Sequence, residues 1–155
     1  MALRISRQSA TNVIQDRCST FEKMKNRILY IEHKTDQNDQ GKAWIGEVEF
    51  SKSGKTIYFN GLALKKMTGT AYAYSEYSNY YDIENREAYW ISGIKKNGQD
   101  RHYLGAGKIM IDRKIVDDYL KMVDFDILDE NKFELIDVMP TDKKRFAKLE
   151  NEKLN

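Results

Sequence analysis

The chain has 155 residues, 41% of them hydrophobic and 32% charged, enough for one domain or for one domain with a modest appendage. Its 26 basic and 24 acidic side chains leave a net charge of +2, too balanced to dictate a polyanionic partner. A mean hydropathy of −0.72 and the lack of any run of eighteen apolar residues argue against a membrane protein, and the one cysteine, Cys18, excludes an intrachain disulfide and fits a reducing, cytoplasmic compartment.

Ten tyrosines, six phenylalanines and two tryptophans against a single proline favour strands, because aromatic and β-branched side chains suit a pleated, half-buried surface. Residues 1–23 stand apart: Arg4, Arg7, Arg17 and Lys23 are scattered among serines on a weak hydrophobic pattern. The segment lacks the apolar stretch of about 7–15 residues that a secretory signal needs. It is expected to be a weakly ordered arm or short helix, with Met24 as a candidate natural start.

From Arg27 the period becomes two. Ile28, Tyr30 and Glu32 alternate with Leu29 and Ile31, a buried strand, and in 43–50 Trp44, Val48 and Phe50 oppose Glu47 and Glu49. Ser53-Gly54 turns into Lys55–Asn60, and Asn60-Gly61 is a strong type I′ hairpin signal because both residues tolerate positive φ. Leu62–Met67 returns, Thr68-Gly69 turns again, 70–74 reads as a strand, and Asn97-Gly98 links Ala88–Ile94 to Arg101–Leu104. Turns every 8–12 residues between 33 and 107 predict a small antiparallel barrel, SH3-like or a strongly bent meander, over 27–111.

Helical spacing appears only later. After a short strand at 108–111, Asp112 is a good N-cap for a helix over 113–123 with Ile115, Val116, Tyr119, Leu120 and Val123 on one face. Asp124–Val138 reads as a strand pair turning near Glu130-Asn131, and Pro140-Thr141-Asp142 starts a last helix that uses Phe146 and Leu149 as its contact side. The domain limits expected are 24–123 for the β domain with its closing helix and 124–155 for a C-terminal β-helix extension. Residues 112–155 hold 9 basic and 12 acidic groups, which leaves 17 and 12 in residues 1–111, so a mildly acidic tail follows a mildly basic β region.

Several motifs reduce to ordinary turns. Ser51–Thr56 ends like a phosphate-binding loop, but Glu49 stands where the leading glycine belongs and a strand follows instead of a helix. Asp36, Asn38, Gln40, Gly41 and Glu47 match positions 1, 3, 5, 6 and 12 of a calcium loop, yet the flanks read as strands. Cys18, His33 and His102 are too scattered to form a soft metal site. No cofactor is expected. An acid–base cluster is conceivable where Asp82, Glu84 and Glu87 approach Asp100, Arg101 and His102, with Asp82, Glu87, Arg101 and His102 as its working set; charged residues beside hairpin turns explain the same letters.

The most unusual window is Thr70–Tyr81, with Tyr72, Tyr74, Tyr77, Tyr80 and Tyr81 in twelve residues. Lys52, Lys55, Lys65 and Lys66 precede it, and Lys95 and Lys96 follow. Aromatic platforms beside cations are how small barrels hold single-stranded nucleic acid, although the sequence pI of about 8.5 lies below the value above about 9 usual for a dedicated domain. In Tyr89-Trp90-Ile91-Ser92-Gly93, alternation puts Tyr89 and Ile91 on one face and Trp90 on the other. One of these faces is core, and apolar groups left on the other mark a partner site.

The strings ILYIEHK (Ile28–Lys34), IGEVEFSKSGKTIYFNG (Ile45–Gly61) and YDIENREAYWISGIKKNGQDRHY (Tyr81–Tyr103) resemble a widespread family of small bacterial proteins of uncharacterised activity. The similarity spans about residues 25–120 and lies in FSKSGKTIYY-x-G, YD-x-E-T-G-E-x-YWISG and KK-x-G-x-DR-x-Y patterns; here Asn85-Arg86 replaces Thr-Gly and His102 a leucine-like position. Some members bear the label of a deoxyxylulose-phosphate synthase, which is a mislabel for such short chains without the thiamine-diphosphate motif. The resemblance implies no activity. The leading expectation is a non-catalytic binding or accessory module of the bacterial cytoplasm, docking a protein partner through Tyr72, Tyr74, Tyr77, Tyr80, Tyr81 and Trp90. The alternatives are a nucleic-acid-binding barrel using the six lysines and an enzyme built on the acid–base cluster.

Overall fold

A computed structural model of the chain describes residues 26–35, 41–69, 77–101 and 107–154. Among the described residues the strands are β1 (Asn26–Lys34), β2 (Ala43–Phe50), β3 (Thr56–Phe59), β4 (Leu62–Lys66), β5 (Tyr80–Asp82), β6 (Ala88–Gly93), β7 (Ile109–Asp112) and β8 (Phe133–Ile136). A 3₁₀ turn at Arg113–Ile115 leads into helix α1 (Val116–Met122), and helix α2 spans Lys143–Leu154. The fold is mainly β. Strands β1 to β6 close into an antiparallel barrel, because β1 pairs with β2 on one edge and with β6 on the other. Strands β7 and β8 then continue the sheet in parallel from β2.

Alternation assigns the two faces. Leu29, Ile31, Trp44, Val48, Ile57, Phe59, Leu64, Tyr89 and Ile91 point inward and form the barrel core. Their outward neighbours in β1 and β2, Tyr30, Ala43 and Ile45, pack beneath Ile115, Tyr119 and Val123 of the helical segment and against Ile109, Ile111 and Phe133. A third cluster lies on the other flank, where Phe146 of α2 sinks between Ala63 and Ile83 beside Tyr58 and Leu149. Each large apolar side chain buried this way contributes on the order of 1.5–3 kcal/mol, so both ends of the chain's second half are anchored to the barrel.

Local chemistry sets the turns. Asn60 and Gly61 adopt φ of 46° and 76°, the left-handed pair that a type I′ hairpin needs. The Asn60 side chain also accepts the Met139 N–H at 3.0 Å, and Thr141 Oγ1 accepts the Gly61 N–H at 3.0 Å, which ties the segment before α2 to this hairpin. In the Ser51–Thr56 turn, Gly54 donates to the Ser51 carbonyl and Thr56 to Ser51 Oγ. Those groups are spent within the turn, and β3 follows directly.

Three expectations are revised. The strand pair over Asp124–Val138 is not formed: only Phe133–Ile136 is extended, and it pairs in parallel with β7. The reason is local, since Asp129 collects Asn131 N–H on its side chain and the N–H groups of Lys132 and Phe133 on its carbonyl, coiling 129–132 into a turn. Asp112 caps the 3₁₀ turn through Lys114 N–H at 3.1 Å, and the regular helix begins only at Val116. Arg101 lies in a bend; the strand expected at 70–74 and the rest of the one expected at 101–104 lie outside the described residues, as does the arm 1–23.

The barrel interior contains one close approach of backbone to ring. A Cβ on Gly46 would lie 2.4 Å from Cε2 of the inward ring of Phe59, so β2 bends over that ring only without a side chain there. Gly46→Ala is therefore expected to lower stability by about 1–3 kcal/mol through overpacking, measured as a fall in urea midpoint. Gly93→Ala, whose added methyl meets nothing within 4 Å, serves as the control and should shift the midpoint little.

Candidate functional site

Among the described residues, the outer surface of the barrel is covered on two sides and bare between them. Helix α2 covers β3 and β4 as far as Lys65, whose Nζ lies 3.5 Å from Glu150 Oε1. Segment 94–101 and α1 cover β1 around Tyr30. Between these covers the register aligns Lys65, Tyr81, Ala88 and Lys34 in one row across β4, β5, β6 and β1. Trp90 stands in the next row opposite Glu32. The small Ala88 and Ser92 on either side leave the indole proud of the sheet, 36% exposed, while Tyr89 and Ile91 on the inner face are at most 5% exposed. The Arg86 guanidinium lies 5.1 Å over the Tyr81 ring, a cation–π contact, and Arg86 itself has a positive φ of 67° in the β5–β6 hairpin.

Asn79 finishes the strip at its lower margin. Its amide donates to the Ile91 carbonyl at 2.7 Å and accepts the Ile91 N–H at 2.8 Å, so a side chain replaces one rung of the ladder where β5 has not yet begun. The six expected contact residues separate accordingly. Tyr81 and Trp90 share the outer strip; Tyr77 is 74% exposed just before β5. Tyr80 is half-buried against the barrel core, where burial raises its hydroxyl above the ordinary value. Tyr72 and Tyr74 lie outside the described residues.

The lysines segregate by strand direction. Lys52 and Lys55 sit in the β2–β3 turn, Lys66 ends β4 with its N–H on the Lys55 carbonyl, and Lys95 and Lys96 follow the last residue of β6. The antiparallel register brings all five, and Tyr77, to the same end of the barrel. Lys65 instead points outward to α2.

The acid–base cluster is arranged differently from its sequence reading. Asp82 and Glu87 share the β5–β6 hairpin, where Asp82 is 2% exposed and accepts the Glu84 N–H at 2.8 Å. Glu84 itself is bound by Arg145 of α2. Arg101 donates through Nη2 to the Gly41 carbonyl at 2.8 Å, and His102 lies outside the described residues. The histidine that meets Glu87 is His33 of β1, with Nε2 3.0 Å from Oε2 and its ring stacked 4.9 Å from that of Tyr89. Burial, with the Asp82 and Glu87 carboxylates nearby, pushes the Tyr89 hydroxyl up to about 12. Sequence spacing gave no hint of this contact, since 54 positions separate the two residues; only the β1–β6 register, His33 opposite Tyr89, creates it.

A buried polar group lies under segment 94–101. Tyr30 donates to Glu32 Oε2 at 2.9 Å and Lys34 donates to Glu32 Oε1 at 3.1 Å, so the 3%-exposed carboxylate is held from both sides. Burial and then the Glu32 charge raise the Tyr30 hydroxyl far above its ordinary value. Asp100 accepts the Lys95 N–H at 2.8 Å on Oδ1, while its Oδ2 and the Tyr119 hydroxyl are buried without a hydrogen-bond partner among the described residues. Burial and the Asp100 charge push Tyr119 up to about 12.

Among the described residues no three His, Cys, Asp or Glu side chains are grouped to hold a metal. Of the calcium-loop positions, Asp36, Asn38 and Gln40 lie outside the described residues and Glu47 is a strand residue of β2. No helix among the described residues is long and apolar enough to cross a membrane. No protein-family model, curated protein or solved structure matches the chain.

Desolvation raises the Asp100 carboxyl above its ordinary range, against the opposing pull of the Lys95 N–H. A carboxyl that binds its proton more tightly folded than unfolded favours the folded state at low pH and loses that contribution as pH rises through its folded value. Asp100→Asn keeps the acceptor for Lys95 N–H and removes the buried charge. It is expected to be more stable than the wild type by about 1 kcal/mol at pH 7, with the difference vanishing near pH 3. Urea unfolding at the two pH values checks both signs.

Proposed function

We propose that the chain is a non-catalytic binding module whose bare outer strip, centred on Trp90 and Tyr81, docks a protein partner. The carrying observation is an outward tryptophan between two small residues on a barrel face that, among the described residues, neither helix covers. Trp, Tyr and Arg are the residue types enriched at protein interfaces and among their hot spots, and this strip presents one of each. Its lysines are paired, Lys34 with Glu32 and Lys65 with Glu150, and Arg86 lies over the Tyr81 ring. An aromatic surface whose lysines are paired and whose one further cation rests on a ring suits a protein better than a polyanion. A bacterial cytoplasmic setting accords with the family resemblance and the single cysteine.

Photocrosslinking tests this reading in the intact chain expressed in its native host. A benzophenone amino acid at position 90 should trap a discrete partner, whereas the same probe at the exposed Glu130 should not. Tyr81→Ser should reduce the trapped yield at position 90 at least fivefold with folding unchanged. Equal capture from both positions would remove the strip as the contact surface.

A second reading rests on a different observation, the gathering of Lys52, Lys55, Lys66, Lys95 and Lys96 with Tyr77 at one barrel end. Lys52, Lys55, Lys66 and Lys96 make no ion pair among the described residues, and Lys95 lies near buried Asp100. Cations left free beside aromatic rings support single-stranded nucleic-acid binding through phosphate contacts and stacking. Binding of a labelled oligothymidine should then weaken steeply with salt, losing about 1.4 units of log–log slope in the variant with Lys52 and Lys55 both changed to Gln. A salt-independent signal, or one untouched by these changes, would exclude it.

A further inference from the structure

Among the described residues β8 ends the sheet: its inner edge pairs in parallel with β7, and no described strand lies along its outer edge. The register decides which backbone groups point outward. Ile109 stands opposite Phe133 and its N–H donates to the Lys132 carbonyl at 2.9 Å. Lys132, Glu134 and Ile136 therefore address β7, while Phe133, Leu135 and Asp137 turn their backbone groups away from it. The Phe133 N–H is spent on the Asp129 carbonyl at 3.0 Å. The Phe133 carbonyl, both backbone groups of Leu135 and the Asp137 N–H remain for an outside strand.

The side chains leave this edge approachable. Leu135 is 45% exposed, and β8 has neither a proline nor a bulge to blunt it. Of the seven exposed large apolar side chains among the described residues, five (Met122, Phe125, Ile127, Leu135 and Met139) fall within 122–139, which concentrates apolar surface in this part of the chain. Charge then chooses between occupants. Residues 116–137 carry eight exposed acidic side chains, Glu134 and Asp137 among them, against Lys121 and Lys132. Asp137 lies 3.4 Å from Arg113 Nε with both groups mostly exposed, a weak pairing. A second copy would bring two acidic surfaces together around Leu135, whereas a basic strand meets the opposite sign.

We propose that the outer edge of β8 binds an extended basic segment of a partner protein by antiparallel strand addition. The partner residue opposite Leu135 exchanges both backbone hydrogen bonds with it, and its side chain covers the exposed leucine. Two residues later the partner's N–H donates to the Phe133 carbonyl; two residues earlier its carbonyl accepts the Asp137 N–H. This register sets the side chains in order along the partner. A cation faces Asp137, apolar residues face Ile136 and Leu135, and a second cation faces Glu134. The unpaired backbone groups supply the binding, and the acidic surroundings select its sign. This edge is distinct from the strip at Trp90 and does not depend on it.

The test follows amide resonances of the full chain during titration with the peptide acetyl-KVVKT-amide. Shifts should centre on 132–138, and the Leu135 and Asp137 amide protons should exchange with solvent at least fivefold more slowly once the peptide is bound. The matched peptides KVPKT, which lacks the donor opposite Leu135, and EVVET should each bind at least fivefold more weakly. Leu135→Pro removes an N–H that faces away from β7 and should cost KVVKT at least tenfold while resonances elsewhere stay in place. Glu134→Lys, at an exposed position, should weaken KVVKT at least threefold and strengthen EVVET, which keeps the test decisive if the proline variant unfolds. Any of four results would overturn the proposal: shifts confined to other surfaces, none at 132–138 with about 1 mM peptide, equal binding of KVVKT and KVPKT, or a dimer formed through Leu135 without peptide.

Discussion

Strand β1 is hydrogen-bonded along both edges, to β2 from Asn26 to Glu32 and to β6 from Leu29 to Lys34. That double pairing is the constraint from which the remaining geometry follows. A strand with two antiparallel neighbours cannot slip by one residue without turning Leu29 and Ile31 out of the core and Tyr30 and Glu32 into it. Once β1 is held, closure leaves no free edge in the six-stranded ring, and the missing side chain at Gly46 makes room for the inward Phe59 ring.

Closure also decides where each kind of chemistry ends up. Antiparallel order sends the β2–β3 turn and the C-terminal ends of β4 and β6 to one end, which gathers the lysines, and the β5–β6 hairpin with His33 and Glu87 to the other. The sides are then divided by what packs on them. Tyr30 and Ile45 recruit α1, Ala63 and Ile83 recruit α2 through Phe146, and among the described residues β5–β6 between them carries Trp90 and Tyr81 under neither helix. The buried polar groups fall at the seams between barrel and coverings. Glu32 is satisfied by Tyr30 and Lys34, whereas Asp100 retains a buried carboxylate oxygen with no partner among the described residues, a local cost that the surrounding apolar packing offsets.

The C-terminal extension does more than cover the barrel. Because β7 and β3 take different stretches of the same edge of β2, a fork opens between them, and the link from β8 to α2 in the extension forms one wall of it. Two tethers hold that wall in place, Met139 N–H to Asn60 Oδ1 and Gly61 N–H to Thr141 Oγ1. The same hairpin that turns β3 into β4 therefore also positions that wall.

Much of this is legible in the sequence. The alternation of Ile28–Glu32 and of Trp44–Phe50, the Asn60-Gly61 turn, the helical face of Ile115, Tyr119 and Val123, and Phe146 as the contact of the last helix are all encoded within a few residues of one another, where backbone preference and side-chain period act directly. What tertiary structure alone decided are the contacts between distant segments: His33 on Glu87, the row from Lys65 to Lys34, β8 beside β7 in place of a local hairpin, and the fork on β2. The physical reason is that alternation tells which side of a strand is apolar but not which strand lies next to it. Partner choice is settled by the closure and twist of the whole sheet, a property that no single window of the chain contains.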